Sequence, residues 1–136
     1  MTERDYSGTP LPRKLGIKEG SRVAIVGAPE GFPDALGRLP AGAELIPLRG
    51  ALDVIVLFAM RRAELEGSFT ALTGGLAPAG GLWVAYPKKV SRVPTDLSFA
   101  VVQEIGLAAG LVDNKSCAID EVWSGVRFVI RLRDRA

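Results

Sequence analysis

The sequence contains no histidine at any of its 136 positions, and it contains one cysteine. Histidine is the commonest general base and the commonest zinc ligand in proteins, so its absence argues against a metal centre and against a nucleophile activated by histidine. The lone cysteine, Cys117, cannot form an intrachain disulfide, and within its strand-like run we expect it to pack as a small hydrophobic side chain. We therefore assign no catalytic residue and no metal ligand from the sequence.

The sequence also lacks a strong charge of either sign and a long apolar run. Its 17 lysines and arginines nearly balance its 15 aspartates and glutamates, which gives a formal net charge of +2. So small a charge does not create the basic field of a nucleic-acid-binding protein. The first 14 residues are polar, and the longest apolar run, residues 51–60, is too short to cross a bilayer. We expect a cytoplasmic protein that binds neither nucleic acid nor membrane.

The composition is that of a globular domain. Hydrophobic residues make up 48% of the chain and charged residues 24%, a balance typical of a chain that folds alone. We predict a single domain over residues 1–136, in which residues 1–12 form an irregular arm because their glycine and prolines disfavour regular structure. We expect this arm to dock on the domain. A lid over a pocket, formed with Tyr6 and Thr9, is the alternative.

Apolar runs alternate with helical patterns along the chain. Leu65, Phe69, Leu72 and Leu76 recur every three or four residues, which predicts one stripe of an α-helix that begins near Arg61. Other helices are predicted from residue 33 and over residues 97–108. Strands are predicted over residues 23–26, 44–48, 53–59, 82–86, 115–122 and 126–133.

This alternation predicts an α/β fold. Strands that alternate with helices form a mostly parallel sheet, here of about six strands, with helices on both faces in a three-layer arrangement. The last two strands follow each other without a helix, so we expect them to form an antiparallel hairpin. Trp123, Ser124 and Gly125 are predicted to form its tight turn.

The loop after the first strand provides the first candidate ligand-binding residues. Open parallel sheets bind ligands beyond the carboxyl ends of their strands, and Gly27, Glu30, Gly31 and Phe32 follow the first strand directly. The alternative is a tight strand-to-helix turn with Phe32 packed inward. Glu30 would repel a phosphate at the start of the following helix, which argues against a dinucleotide or P-loop site.

Further candidates follow later elements of the chain. Tyr86, Lys88 and Lys89 come at the end of the fourth strand, at the same edge of the sheet, where the two lysines either bind an anion or are simply solvated. Thr95 and Asp96 are also candidates for the site. Their position before a periodic apolar run is, however, that of a helix cap, and this is the role we expect.

Several stretches resemble known families. Residues 20–27, with the sequence GSRVAIVG, are similar to the opening strand and glycine loop of Rossmann-type methyltransferases, and residues 52–58 and 76–84 are similar to the second half of that fold. Nearly the whole chain also resembles a small family of bacterial domains of unknown function. The motifs that carry this second resemblance are DYSGTPL (5–11), VGAPEGF (26–32), YPKK (86–89), TDL (95–97) and WSG (123–125). The resemblance implies a methyltransferase-like sheet and no established activity.

The methyltransferase resemblance also implies a site for S-adenosylmethionine, which the sequence matches only in part. Ile25 stands where an acid is expected near the end of the first strand, Pro29 and Glu30 interrupt the glycine loop, and no acid ends the second strand. No room is left between Leu48 and Asp53 for the helix and strand that help to frame the adenosine. We expect no cofactor and a non-catalytic domain that binds a partner protein or a small anionic ligand. A minimal S-adenosylmethionine-dependent methyltransferase is the alternative.

Overall fold

The computed structural model describes residues 10–48 and 50–135, and within these ranges the apolar runs form strands and the periodic segments form helices. The strands are β1 (Arg22–Val26), β2 (Glu44–Leu45), β3 (Leu52–Phe58), β4 (Leu76–Pro87), β5 (Leu111–Ala118) and β6 (Trp123–Ile130). The helices are α1 (Leu11–Lys14), α2 (Phe32–Leu36), α3 (Arg62–Gly74) and α4 (Phe99–Ala108). Short 3₁₀ turns cover Lys89–Ser91 and Leu132–Asp134.

The strands form one mixed sheet in the order β2-β1-β3-β4-β6-β5. β2, β1, β3 and β4 are parallel, whereas β6 is antiparallel to β4 and to β5. The predicted α/β fold, mostly parallel with an antiparallel hairpin at the end of the chain, is therefore confirmed.

Different helices cover the two faces of the sheet. On one face, which we call the α3/α4 face, Phe69 and Val102 pack with buried side chains such as Leu82. On the other, the α1/α2 face, Leu15 and Phe32 belong to a second buried cluster. Because β3 and β4 are covered on both sides over much of their length, they are apolar at consecutive positions rather than at alternate ones.

The segment that follows α1 is attached to the centre of the sheet. The indole of Trp83, in the middle of β4, is fully buried, and its Nε1 donates a hydrogen bond to the carbonyl oxygen of Leu15 at 2.8 Å. Pro12, which we predicted as part of an irregular arm, lies in the first turn of α1, where a proline costs no helical hydrogen bond. Residues 1–9, including Tyr6 and Thr9, lie outside the described residues.

The second strand is shorter than predicted. We expected a strand over residues 44–48, but β2 pairs with β1 only from Glu44 to Leu45. The amide of Ile46 still donates to the carbonyl oxygen of Val23 at 2.8 Å. Pro47 has no amide hydrogen to continue the ladder, so the pairing stops there.

The turn of the C-terminal hairpin lies earlier than predicted. Residues 119–122 join β5 to β6, and Oδ1 of Asp120 accepts hydrogen bonds from the amides of Val122 and Trp123, each at 2.8 Å. The prediction that Trp123, Ser124 and Gly125 form the turn is wrong, because all three belong to β6. A Cβ at position 125 would lie 3.0 Å from Cε3 of Trp83, so this glycine serves close packing rather than a turn.

Candidate functional site

The sheet contains a point where the chain leaves neighbouring strands in opposite directions. From the carboxyl end of β1 the chain passes through α2 on the α1/α2 face to the outer strand β2. From the carboxyl end of β3 it passes through α3 on the α3/α4 face to β4. Diverging loops of this kind border the position where open α/β sheets bind ligands. We call the space between residues 27–31 and residues 59–61 the switch-point crevice.

Gly27 turns the chain at the end of β1. Its φ of 71° lies in the left-handed region, and a Cβ there would lie 3.1 Å from the carbonyl oxygen of Phe58. Any other residue would strain the turn and crowd the end of β3. Glu30 and Gly31 follow in the same loop, and all three candidates are exposed. The backbone of this loop and the Glu30 carboxylate are therefore accessible to a ligand.

Phe32 lies beneath this loop. It is buried, and its ring packs edge-on against Phe58, with the ring centroids 4.8 Å apart. Phe58 in turn packs edge-on against Trp123, with the centroids 5.0 Å apart. Edge-to-face pairs at these distances are favourable and rigid. Phe32 thus supports the loop from below, and its ring is covered by protein.

Thr95 and Asp96 brace the β3 side of the crevice. Oγ1 of Thr95 donates to the carbonyl oxygen of Met60 at 2.5 Å, and Oδ1 of Asp96 accepts from the amide of Arg62 at 2.6 Å. Oε1 of Glu64 accepts from the amide of Met60 at 3.2 Å. Carboxylates therefore satisfy amides at the start of α3 that have no partner within the helix.

These contacts correct the role that we predicted for Thr95 and Asp96. Helix α4 begins at Phe99, and its cap is Ser98, whose Oγ accepts from the amide of Val101 at 3.3 Å. Thr95 and Asp96 instead act on residues 35 and 34 positions earlier in the chain. The prediction that they cap the following helix is wrong.

Arg62 of α3 forms an ion pair within its own helix and another with α4. Its Nε lies 3.0 Å from Oε2 of Glu66, and its Nη2 lies 3.3 Å from Oε2 of Glu104. Hydrogen bonds to Glu66 and then to Glu104 raise the pKa of the Arg62 guanidinium above its ordinary value. Because two carboxylates already hold this cation, we do not count it among the ligand-binding groups.

Tyr86, Lys88 and Lys89 lie farther along the same edge. Tyr86 is buried on the α3/α4 face, Lys88 is half-buried, and Lys89 is exposed in the 3₁₀ turn. β3 separates β4 from β1, so the backbones of these residues lie roughly 10 Å from the Gly27 loop at about 4.8 Å per strand. An anion site formed by the two lysines beside that loop stays a prediction.

Met60 and Arg61 are site residues that the sequence did not reveal. The Met60 side chain is 42% exposed directly after the buried strand β3, and Arg61 beside it is also exposed. The signal that could have found them is position alone, since they follow the strand that borders β1. Three exposed side chains thus lie on the two loops that border the crevice: the apolar Met60, the carboxylate of Glu30 and the guanidinium of Arg61. An apolar ring, hydroxyl or ammonium donors and a carboxylate would complement these groups.

Two kinds of feature are not found in the described ranges. Over residues 10–48 and 50–135, no helix is both long enough and apolar enough to cross a membrane. Over the same ranges, cysteine and acidic side chains do not gather in a group of three or more that could hold a metal ion.

Comparison with solved structures finds the same fold in several methyltransferases. An O-methyltransferase from neocarzinostatin biosynthesis superposes with a TM-score of 0.64 at 14% identity, over 86% of this chain and 50% of its own. A SAM-dependent methyltransferase from Aquifex aeolicus gives a TM-score of 0.60 at 16% identity, over 91% of this chain and 95% of its own. A TehB-like SAM-dependent methyltransferase from Corynebacterium glutamicum gives 0.57 at 11% identity, over 93% and 92%.

These matches define the fold, which is the Rossmann-like α/β fold of methyltransferases. The chain spans half the length of the neocarzinostatin enzyme and nearly all of the Aquifex aeolicus protein. No family model matches the sequence, and no curated protein matches it. Membership of the bacterial family of unknown function therefore stays a prediction.

The comparisons also correct our expectation about a cofactor. We expected none, because acids typical of the family are missing from the first and second strands. The neocarzinostatin enzyme was solved with S-adenosylmethionine, and so was a fibrillarin from Aeropyrum pernix that matches with a TM-score of 0.57. Proteins that share this fold thus hold S-adenosylmethionine, and the prediction of no cofactor is wrong.

Proposed function

We propose that this chain is a minimal S-adenosylmethionine-dependent methyltransferase that binds its cofactor in the switch-point crevice. The observation that carries the proposal is the left-handed turn at Gly27, which leaves an exposed loop backbone at the point where β1 and β3 diverge. The match to the Aquifex aeolicus methyltransferase, over 95% of that chain, supports it, because it shows this fold in a protein of similar extent.

The residues present fit the chemical groups of the cofactor. The exposed loop from Gly27 to Gly31 would hold the methionine part, with Arg61 as the partner of its carboxylate. Glu30 would accept hydrogen bonds from the ribose hydroxyls, in place of the acid that is missing from the end of the second strand. Met60 offers an apolar surface for the adenine. When bound, S-adenosylmethionine supplies an electrophilic methyl group on its sulfonium sulfur.

Glu30 decides between this proposal and our earlier leading hypothesis of a non-catalytic domain. A carboxylate in this loop opposes a phosphate, which is why we excluded a dinucleotide. S-adenosylmethionine has no phosphate, and its ribose hydroxyls and ammonium group are hydrogen-bond donors. The carboxylate that argues against a phosphate-bearing nucleotide therefore favours a nucleoside ligand that has no phosphate.

The test is calorimetric titration of the purified chain with S-adenosylmethionine, with thermal unfolding in parallel. A ligand that binds only the folded state at about 100 times its Kd adds about 2.7 kcal/mol to the free energy of unfolding. Glu30→Gln should weaken binding by about tenfold, since hydrogen bonds to charged groups contribute roughly 1.5–3 kcal/mol. Glu44→Gln, the same change at an exposed position on β2, should leave the Kd unchanged.

Two outcomes would count against the proposal. No stabilisation of the wild-type chain at millimolar cofactor would remove the function. Equal affinities of the Glu30→Gln and Glu44→Gln variants would remove the crevice as the site.

A cytoplasmic location and a protein partner stay parts of the proposal. For the partner, a precedent is the matching putative methyltransferase of Haloferax volcanii, which was solved with the Trm112 methyltransferase activator.

A further inference from the structure

A second concave site lies at the amino ends of the parallel strands, at the opposite end of these strands from the switch-point crevice. Its cavity has a volume of about 380 Å³. The lining comes from the segment between the end of α1 and the start of β1, from β3 and β4 near their amino ends, and from β5 and β6. The side chains that carry charge there are Lys14, Lys18, Glu19, Asp53, Lys115 and Arg127. We call this cavity the amino-edge cleft.

Positive charge dominates the amino-edge cleft. Four of its charged side chains are cationic and two are acidic. One of the acids is already engaged, because Oδ2 of Asp53 accepts from the amide of Arg22 at 2.9 Å. Arg135 adds positive charge nearby and lowers the pKa of the Arg127 guanidinium, although burial is the larger cause of that lowering. A negative ligand would relieve this repulsion.

Arg127 lines the cleft from β6. Its side chain is half-buried, and Nη1 donates to Oδ1 of Asn114 at 3.3 Å. No carboxylate of the described residues forms an ion pair with it. Desolvated arginines in proteins are normally paired with an acid. A half-buried arginine that has no acidic partner is available to bind an external anion.

Gly81 provides the surface on which the Arg127 guanidinium lies. Trp83 pairs with Arg127 across β4 and β6. Gly81 lies two positions before Trp83 on β4, so a side chain at position 81 would point to the same face of the sheet as Trp83 and Arg127. A Cβ at position 81 would lie 2.7 Å from both Cζ and Nη2 of Arg127. The absence of a side chain at Gly81 therefore lets the planar guanidinium lie flat against the strand, with its donors held at the cleft.

We propose that the amino-edge cleft binds the phosphate group of a small soluble phosphomonoester. Arginine presents a planar fork of donors that matches phosphate oxygens, and Lys18 and Lys115 add point charges suited to a dianion. The cleft has the volume of a small-molecule site rather than of a macromolecular interface. The seven residues of β3 span about 20 Å at roughly 3.3 Å per residue, so this site is separate from the switch-point crevice.

The experiment is calorimetric titration of the full chain with inorganic phosphate and with glycerol 2-phosphate, at constant ionic strength held with chloride. We expect both to bind. Arg127→Ala should weaken binding by about tenfold to a hundredfold, as expected for loss of a charge-assisted, two-point contact. Arg133→Ala removes the same charge from an exposed neighbouring position outside the cleft and should change the Kd by less than about twofold.

Gly81→Ala provides a second variant in case Arg127→Ala fails to fold. Its backbone suits alanine, and the contact that the new methyl group makes is with the movable end of Arg127. It should displace the guanidinium and weaken binding of phosphate by a similar factor while the chain stays folded. Arg127→Lys, which keeps the charge and loses the fork, should lie between wild type and Arg127→Ala.

Several results would overturn the proposal. Equal binding by wild type and Arg127→Ala would do so, and so would displacement of phosphate by an equal concentration of chloride. Binding of inorganic phosphate without glycerol 2-phosphate would overturn the assignment of a phosphomonoester. Titration of Arg127→Ala with S-adenosylmethionine separates the two proposals, because the cofactor should bind this variant as it binds wild type.

Discussion

Replacing Gly106 with alanine tests the packing of α4 on the sheet, because helix propensity and core packing predict opposite results. Alanine is favoured over glycine inside a helix by about 1 kcal/mol. In this chain, however, a Cβ at position 106 would lie 2.5 Å from both Cδ1 and Cζ of the Phe128 ring. Apolar carbon atoms pack at about 3.5–4.0 Å, so the ring or the helix would have to move by about 1 Å or more.

The ring of Phe128 is enclosed by protein. It is fully buried in β6, and it packs edge-on against Phe69 of α3 with the ring centroids 5.6 Å apart. Overpacking of this kind costs typically about 1–3 kcal/mol, occasionally more. The close approach to the ring puts the packing cost in the upper part of this range, about 2–3 kcal/mol. We therefore expect Gly106→Ala to lower the free energy of unfolding by about 1–2 kcal/mol after the gain of about 1 kcal/mol in helix propensity.

Gly67→Ala is the matched control. Gly67 lies inside α3, it is exposed, and a Cβ there would meet no atom within 4 Å. Only helix propensity acts at this position, so this variant should be more stable than wild type by up to about 1 kcal/mol. With an m-value of about 2 kcal/mol/M, the urea midpoints of the two variants should differ by about 1 M.

A midpoint for Gly106→Ala at or above that of wild type would refute the packing described here. A double-mutant cycle with Phe128→Leu gives a second check, since removal of the ring should remove most of the cost of the added methyl group. If that cost persists in the Phe128→Leu background, it does not come from contact with the ring.

Two other predictions concern single side chains. Asp96→Ala should lower the free energy of unfolding by about 1 kcal/mol, measured in urea, because Oδ1 of Asp96 satisfies an amide at the start of α3; a loss near zero would contradict this role. Burial raises the pKa of the Cys117 thiol above its ordinary value, so the reactive thiolate is scarcer in the folded chain. Alkylation of folded Cys117 should be slower at pH 8 than in urea, and equal rates would show that the thiol is not shielded.

The periodic and strongly apolar segments could be predicted from the sequence. α3 was expected from the spacing of Leu65, Phe69, Leu72 and Leu76. The first three are the buried side chains of the helix, whereas the prediction for Leu76 is wrong, because it begins β4. β3 was expected from an uninterrupted apolar run, which indicates a strand covered on both faces. Such segments are predictable because the local pattern of apolar residues indicates which side chains are buried in the folded protein.

The ends of elements were harder to predict, because several residues nearby have similar propensities. Thr95, Asp96 and Ser98 are all good caps, and the choice of Ser98 depends on where α4 meets the sheet. Gly125 looked like a turn residue, although its lack of a side chain makes room for Trp83. In both cases the local sequence is compatible with two structures, and a contact with residues distant in sequence determines which one forms.

The candidate sites depend on the same kind of distant contact. Met60 and Thr95 are joined over 35 positions, and Arg127 reaches its place over Gly81 through the pairing of β4 with β6. No motif relates these residues along the chain. The glycine loop after β1 could be found from sequence because its residues are consecutive, whereas the amino-edge cleft is assembled from five separate segments.

The shortened edge of the sheet determines how a cofactor could be held in the crevice. The described residues between β2 and β3 include no helix or strand, and Leu45 on the outer strand is 47% exposed. A ligand beyond the β1 loop would therefore have protein on the β3 side and little on the β2 side. The affinity for this ligand would have to come from the backbone of residues 27–31, from the Glu30 carboxylate and from the Met60 side chain. For this reason substitutions in the loop should change affinity for S-adenosylmethionine far more than substitutions on β2, which is the contrast that the Glu30 and Glu44 variants measure.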